Sequence, residues 1–304
     1  GLRPLWMTVT KDFAFASSEP TGTFPLGPFQ SQRIMGPGET MLVHLADGAI
    51  LTNEQVHDEV GRKAYPGLPH DVVPLSSAEE LPEFGDLTRL QRAFGMGKED
   101  IDVVLAPLLK TGKPAVGSMG DDTSPAAILD HFPRRIEDYF ALRFALETSP
   151  PIDPIRDAWV FDSSASIGNR SGLFGGEDGL VFRSEHRVIS LGECAWLSSR
   201  ASAHVLDATF DAAAGSEGLE ARLSELVAEA SALDATVLIL SDRNVDAGRV
   251  AVPMLRLVSR LHEALIQENR RHRVGLVADA GVWDIHHCAL LVSVGADVVC
   301  PWPG

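Results

Sequence analysis

The chain has 304 residues, 45% hydrophobic and 22% charged, which suits one large or two ordinary folded domains and excludes a disordered chain. Lys and Arg number 26 against 42 Asp and Glu, a net charge of −16 that repels phosphate backbones and anionic headgroups, so neither nucleic acid nor a membrane surface is an expected partner. No apolar run approaches the ~20 residues that span a bilayer, and nothing near Gly1 reads as a secretory signal. Cys194, Cys288 and Cys300 are sparse and far apart, without the spacing of a disulfide framework, a zinc site or an iron–sulfur site. They read as small buried hydrophobes in a cytoplasmic protein. The sequence opens on Gly1 rather than Met and stops after a strand-like run, so the expectation is a piece of a longer chain.

From Gly1 to about Tyr65 the sequence is rich in Gly and Pro and predicts short antiparallel strands. Leu5–Thr10 and Phe13–Ala16 are strand-like around a Lys11-Asp12 turn, and Asp47-Gly48 turns Thr40–Leu45 back into Ala49–Leu51. Pro66 to Pro82 reads as a linker. Ile101, Val104, Leu105 and Leu108 share one face of a helix over 100–109. Ser124-Pro125 starts another helix, Pro133 should break or restart it, and Arg134–Glu147 resumes it until Ser149-Pro150-Pro151. From Ala158 to about Arg200, clustered glycines predict an irregular region without its own core. The last hundred residues alternate cleanly. Strand runs at His204–Phe210, Thr236–Ser241, Val274–Ala278 and Ala296–Cys300 enclose helical stripes such as Met254, Leu257, Val258, Leu261 and Leu265. That alternation predicts an α/β fold with a parallel, partial barrel-like sheet, preceded by a β-rich segment.

Chemistry in such folds gathers at the carboxyl ends of strands. Asp242-Arg243, Asp279 and Asp297 fall at or near those ends. An Asp-Arg step there suits an anionic substrate, and Asp279 with His286 or His287 suits acid/base work or a metal. An internal ion pair and two helix N-caps explain the same residues. His286 and His287 are adjacent in a predicted helix, so their rings diverge by about 100°, with one packing and one exposed. Gly112–Gly117 lacks the Lys-Ser/Thr of a phosphate loop, Gly95-Met96-Gly97 lacks a dinucleotide fingerprint, and no Gly-x-Ser-x-Gly elbow occurs. No complete catalytic set or metal-ligand set emerges.

Gly117-Ser118-Met119-Gly120-Asp121-Asp122-Thr123-Ser124-Pro125, Tyr139-Phe140 and Ser149-Pro150-Pro151-Ile152-Asp153-Pro154-Ile155-Arg156 resemble, in order, the GSMGDDTP, YDYF and TNPPIDPIRE segments of the glutamate synthase large subunit. Leu238–Arg243 with Val245-Asp246-Ala247 is similar to its LILSDR-x-VDA segment, and His286-His287 followed by Gly295-Ala296-Asp297 to its HHFA and GADA segments. The resemblance implies that 1–65 is the end of a class II glutaminase domain and 66–304 the central α/β domain. It further implies a scaffold that links the glutaminase to the FMN synthase domain and walls an ammonia channel, without chemistry of its own. Catalytic residues, FMN and a 3Fe–4S iron–sulfur cluster would then lie elsewhere in a parent oxidoreductase that makes glutamate from glutamine and 2-oxoglutarate. Gly117, Ser118, Gly120, Asp121, Asp122, Asp153, Arg156, Asp242, Arg243, His286 and His287 become motif or domain-interface candidates. Ser149, the 161–181 stretch, Asp279-Ala280-Gly281 and Val298–Trp302 depart from the family pattern, so no family role carries over there. A free-standing binding module of the same fold and a metal-dependent hydrolase built on Asp242, Asp279 and His286 are the competing readings.

Overall fold

The computed structural model describes residues 5–20, 28–36, 38–62, 72–78, 83, 85–112, 135–140, 160–174 and 179–302. Two compact units divide the chain, Gly1–Gly67 and Leu68–Gly304.

The first unit is an antiparallel sheet of order β2-β1-β3, from β1 (Leu5–Thr10), β2 (Ala14–Ser17) and β3 (Phe29–Met35). The Lys11-Asp12 turn sits where expected, closed by Thr10, whose hydroxyl and amide both bond to Phe13. β4 (Leu42–Val43) and β5 (Ile50–Leu51) form the hairpin around Gly48, whose φ of +72° is the left-handed value its Asp-Gly turn requires. A helix, α1 (Asn53–Arg62), follows β5. The reading as strands and turns missed it, because its first turn is polar and no long apolar stripe marks it.

In the second unit, Val72–Pro74 is a strand, β6, within the expected linker. α2 (Leu87–Ala93) is capped by Asp86, which accepts the Arg89 amide. The helix expected over 100–109 is a wider π-type turn, Asp100–Leu105, running into α3 (Ala106–Thr111), which ends on left-handed Gly112. Ile136–Tyr139 is a 3₁₀ turn; the helix start at Ser124-Pro125 lies outside the described residues.

The stretch read as irregular is ordered. β7 (Ala165–Gly168) pairs antiparallel with β8 (Val181–Ser184), β8 pairs parallel with β6, and α4 (Leu191–Ser198) opens on a Ser190–Glu193 capping box. Its glycines obscured short strands whose apolar residues are few but fully buried.

The main sheet is parallel, in order β14-β13-β11-β9, from β9 (Ala203–Asp207), β11 (Val237–Ser241), β13 (Gly275–Ala280) and β14 (Val298–Pro301). A small antiparallel pair, β10 (Thr209–Asp211) and β12 (Arg249–Ala251), flanks it. Helices α5 (Gly215–Ala232), α6 (Met254–Gln267) and α7 (Ile285–Ser293) lie in the crossovers. Each βα unit adds its strand beside the previous one, the short connections that α/β units favour. These strands form a row rather than a closed ring among the described residues.

Both faces of that row are covered, so its strands are near-continuous apolar runs. Leu206, Leu238, Leu240, Leu276, Ala278 and Val299 face a core shared with α5, α6 and α7. Val237, Ile239, Val277, Val298 and Cys300 face the other way, onto Ile167, Phe182, Cys194 and Leu197 of β7, β8 and α4. The all-buried helical stripe Met254, Leu257, Val258, Leu261 and Leu265 shows why α6 forms: its apolar positions recur at i, i+3, i+4, i+7 and i+11.

Candidate functional site at the carboxyl end of the parallel sheet

Register brings one polar rung together. Ser241 lies opposite Asp279, and Asp279 opposite Cys300, across β11, β13 and β14. The Ser241 hydroxyl donates to Asp279 Oδ2 at 2.7 Å, and the Arg243 guanidinium donates to Oδ1 at 2.7 Å. Arg243 also lies 3.8 Å from the Cys300 sulfur. Cys194 of α4 completes the cluster: its sulfur, that of Cys300 and a carboxylate oxygen of Asp279 lie within 4.8 Å of one another, all buried. The thiol of Cys300, engaged by Cys194 and desolvated, is held well above the ordinary cysteine range.

Asp242 begins a second constellation. Its carboxylate accepts the Gly281 amide at 2.9 and 3.0 Å and the Trp302 indole N–H at 2.7 Å. Burial outweighs those bonds and pushes its pKa up to about 7, with the Asp279 charge adding to the rise. Arg135 closes the edge. It donates to the carbonyls of Phe94 and Gly281 at 3.0 and 2.9 Å and stacks over Trp283 at 4.7 Å.

Of the sequence candidates, the fold brings Asp242, Arg243 and Asp279 to one strand end. Asp279 is ion-paired to Arg243, and neither aspartate caps a helix: Pro253 precedes α6 and Asp284 caps α7. Asp297 sits at the opposite end of the sheet, bonded to the Leu276 amide and paired with Arg170 and Arg271. His286 and His287 fall in the first turn of α7, not its middle, because Asp284 caps just before them. The His286 ring meets the Glu137 carbonyl at 3.0 Å, while His287 is buried against Trp283. Among the described residues the metal-type donors that converge are Cys194, Asp279 and Cys300, so Asp242, Asp279 and His286 do not make a shared ligand set. Gly117, Ser118, Gly120, Asp121, Asp122, Asp153 and Arg156 lie outside the described residues.

Beside Arg243 a cleft of about 760 Å³ is lined by Glu83, Asp86, Arg89, Asn244 and Asp246 among others. Its three acids and two arginines do not favour an anion, so the cleft lends no support to the anionic-substrate reading of the Asp-Arg step. Sequence reasoning missed Cys194, Arg135 and Trp302. Only the indole at Trp302, next to a predicted strand, offered any signal.

Residues 89–303 match the family described as the glutamate synthase central domain. The chain belongs to that family. It is 31% identical over 322 residues to a ferredoxin-dependent glutamate synthase of Pyropia yezoensis and 32% over 330 to ferredoxin-dependent glutamate synthase 2 of Synechocystis sp., each alignment taking 99% of the chain and 21% of the relative. A glutamate synthase [NADPH] large chain of Bacillus subtilis is 30% identical over 323 residues, with the same coverage. This central domain therefore spans, with what precedes it, about a fifth of the length of those curated relatives. At its sheet end the two buried carboxylates, Asp242 and Asp279, each already hold at least two donors.

Proposed function

We propose that this chain is the central piece of a glutamate synthase, joining a glutaminase domain to an FMN synthase domain and walling the passage by which ammonia moves between them. Residues 1–65 would be the end of the class II glutaminase domain and 66–304 the central α/β domain. Alignment with the relatives takes 99% of the chain, so it includes the first unit, although the family match begins at residue 89. The observation that carries the scaffold reading is the consumption of the strand-end chemistry. Asp242 and Asp279 each hold donors already, from Gly281 and Trp302 and from Ser241 and Arg243, so neither of these two carboxylates stands free as a general base aimed at a cavity.

FMN and the iron–sulfur cluster belong, on this reading, to the rest of the parent enzyme. The cysteines here do not suit a cluster. Cys194 and Cys300 lie on one face of the sheet and Cys288 in the core on the other, where burial pushes the Cys288 thiol up to about 12. A cytoplasmic setting follows from the same reading, and no helix among the described residues is long and apolar enough to cross a membrane.

The test uses the chain and the full-length synthase. The isolated chain should hydrolyse no glutamine and stay colourless with added FMN. In the full-length enzyme, Arg243→Met should lower glutamate formation from glutamine more than formation from free ammonia, because it disturbs the link and neither reaction centre. Glutaminase turnover by the isolated chain, or equal loss with both nitrogen sources, would sink the proposal.

A further inference from the structure

We infer that Cys194, Cys300 and Asp279 form a binding site for a thiophilic divalent cation of the zinc class, which clamps α4 to the strand ends of β13 and β14. The donor set is two thiols and one carboxylate, with ligand atoms within 4.8 Å of one another. Zinc–sulfur bonds of about 2.3 Å in a tetrahedron place two sulfurs about 3.8 Å apart, so closing the site asks for a movement of roughly 1 Å or less. Register already sets Asp279 and Cys300 side by side, and Cys194 reaches the same face from a capped helix. The site is thus built on regular elements and not on a loop.

The surroundings fit a bound cation. Each Asp279 oxygen holds one donor, Ser241 on Oδ2 and Arg243 on Oδ1. A carboxylate has about four lone-pair positions, so about two remain, one of which can take a metal. Those two donors would then orient the ligand, the part that outer partners play at metal sites. Charge also balances. Two thiolates and a carboxylate carry three negative charges, which the cation and the Arg243 guanidinium neutralise together. Binding breaks two S–H bonds and forms two metal–sulfur bonds; both protons leave to solvent, and nothing is oxidised or reduced. Far-apart cysteines without paired spacing hide such a site from any sequence motif.

The experiment titrates the reduced, chelator-treated chain with Cd²⁺ and then Zn²⁺. Expected are a thiolate-to-cadmium charge-transfer band that saturates at one cation per chain, two protons released per cation, and a rise in Tm of roughly 5 °C at a hundredfold excess over Kd. Cys194→Ser and Cys300→Ser should each lose band and shift, whereas Cys288→Ser keeps both. Should either serine variant fold poorly, the stoichiometry and proton count of the unaltered chain still decide. Absence of one-to-one binding, equal loss in Cys288→Ser, or a native chain with Cys194 and Cys300 joined as a disulfide overturns the assignment.

Discussion

Trp302 and Asp242 meet across the end of the sheet: the indole N–H donates to the buried carboxylate at 2.7 Å, while the indole ring takes the edge of Phe94 at a centroid distance of 5.2 Å. One side chain therefore satisfies the carboxylate and seals it from water. Trp302→Phe keeps much of the ring and deletes the donor. Removing one partner from a buried bond to a charged group costs about 2–3 kcal/mol, and the lower urea midpoint should come without a change in m. A variant as stable as the parent would show that the bond contributes nothing.

Asp242 also sets a pH dependence. Its folded pKa of about 7 lies above the ~3.9 of an unfolded aspartate. Between those values the native state binds more protons than the unfolded one, so this group's contribution to stability falls as pH rises from about 4 to 7 and is level above, by at most about 1.4 kcal/mol per pH unit. The metal-free chain, kept in chelator, should have a higher urea midpoint at pH 5.5 than at pH 8 from this group. Asp242→Asn should flatten that difference. A slope unchanged in the variant assigns it to other groups.

The strands of the last hundred residues were legible because apolar runs and amphipathic stripes alternate there without interruption. Which residues of β11 face which core was not: Val237 to Leu240 are all fully buried, so composition carries no alternation to read. The partners of Asp279 depend on register, and register between parallel strands is set by crossovers far apart in sequence. Glycine density around 168–179 suggested an irregular region without its own core, yet Ile167 and Phe182 are fully buried on the second face. Two such residues anchor a layer without making a pattern. The family motifs at Leu238–Arg243 were plain in the sequence. Their physical task, an ion pair across strands and a carboxylate under an indole, needed Trp302 from the end of the chain.

Asp279 is buried and Arg243, partly exposed, meets it at 2.7 Å. The pair's worth lies in not leaving Asp279 alone. Arg243→Met should cost about 3–5 kcal/mol in the metal-free chain, the penalty of an uncompensated buried charge. Asp279→Asn in that background should restore more than about 1 kcal/mol, since it removes the stranded charge while Ser241 can still donate to the amide oxygen. Strictly additive losses across the double-mutant cycle, measured by urea unfolding, would mean that the two side chains do not act as a pair.

Gly275 marks a close approach between the two β layers of the second unit. A Cβ there would lie 2.6 Å from the Gly168 backbone nitrogen and would also strike Ile167. Backbone cannot rotate away as a side-chain tip can, so Gly275→Ala must push β7 off β13 or distort both strands. The expected loss is about 3 kcal/mol, the upper part of the overpacking range. Gly248→Ala provides the control: its Cβ would find nothing nearer than Asp246 Oδ1 at 3.7 Å and should change stability by less than about 0.5 kcal/mol. Thermal and urea unfolding of both variants check the pair. If Gly275→Ala is as mild as Gly248→Ala, the layers are not held in contact at this point.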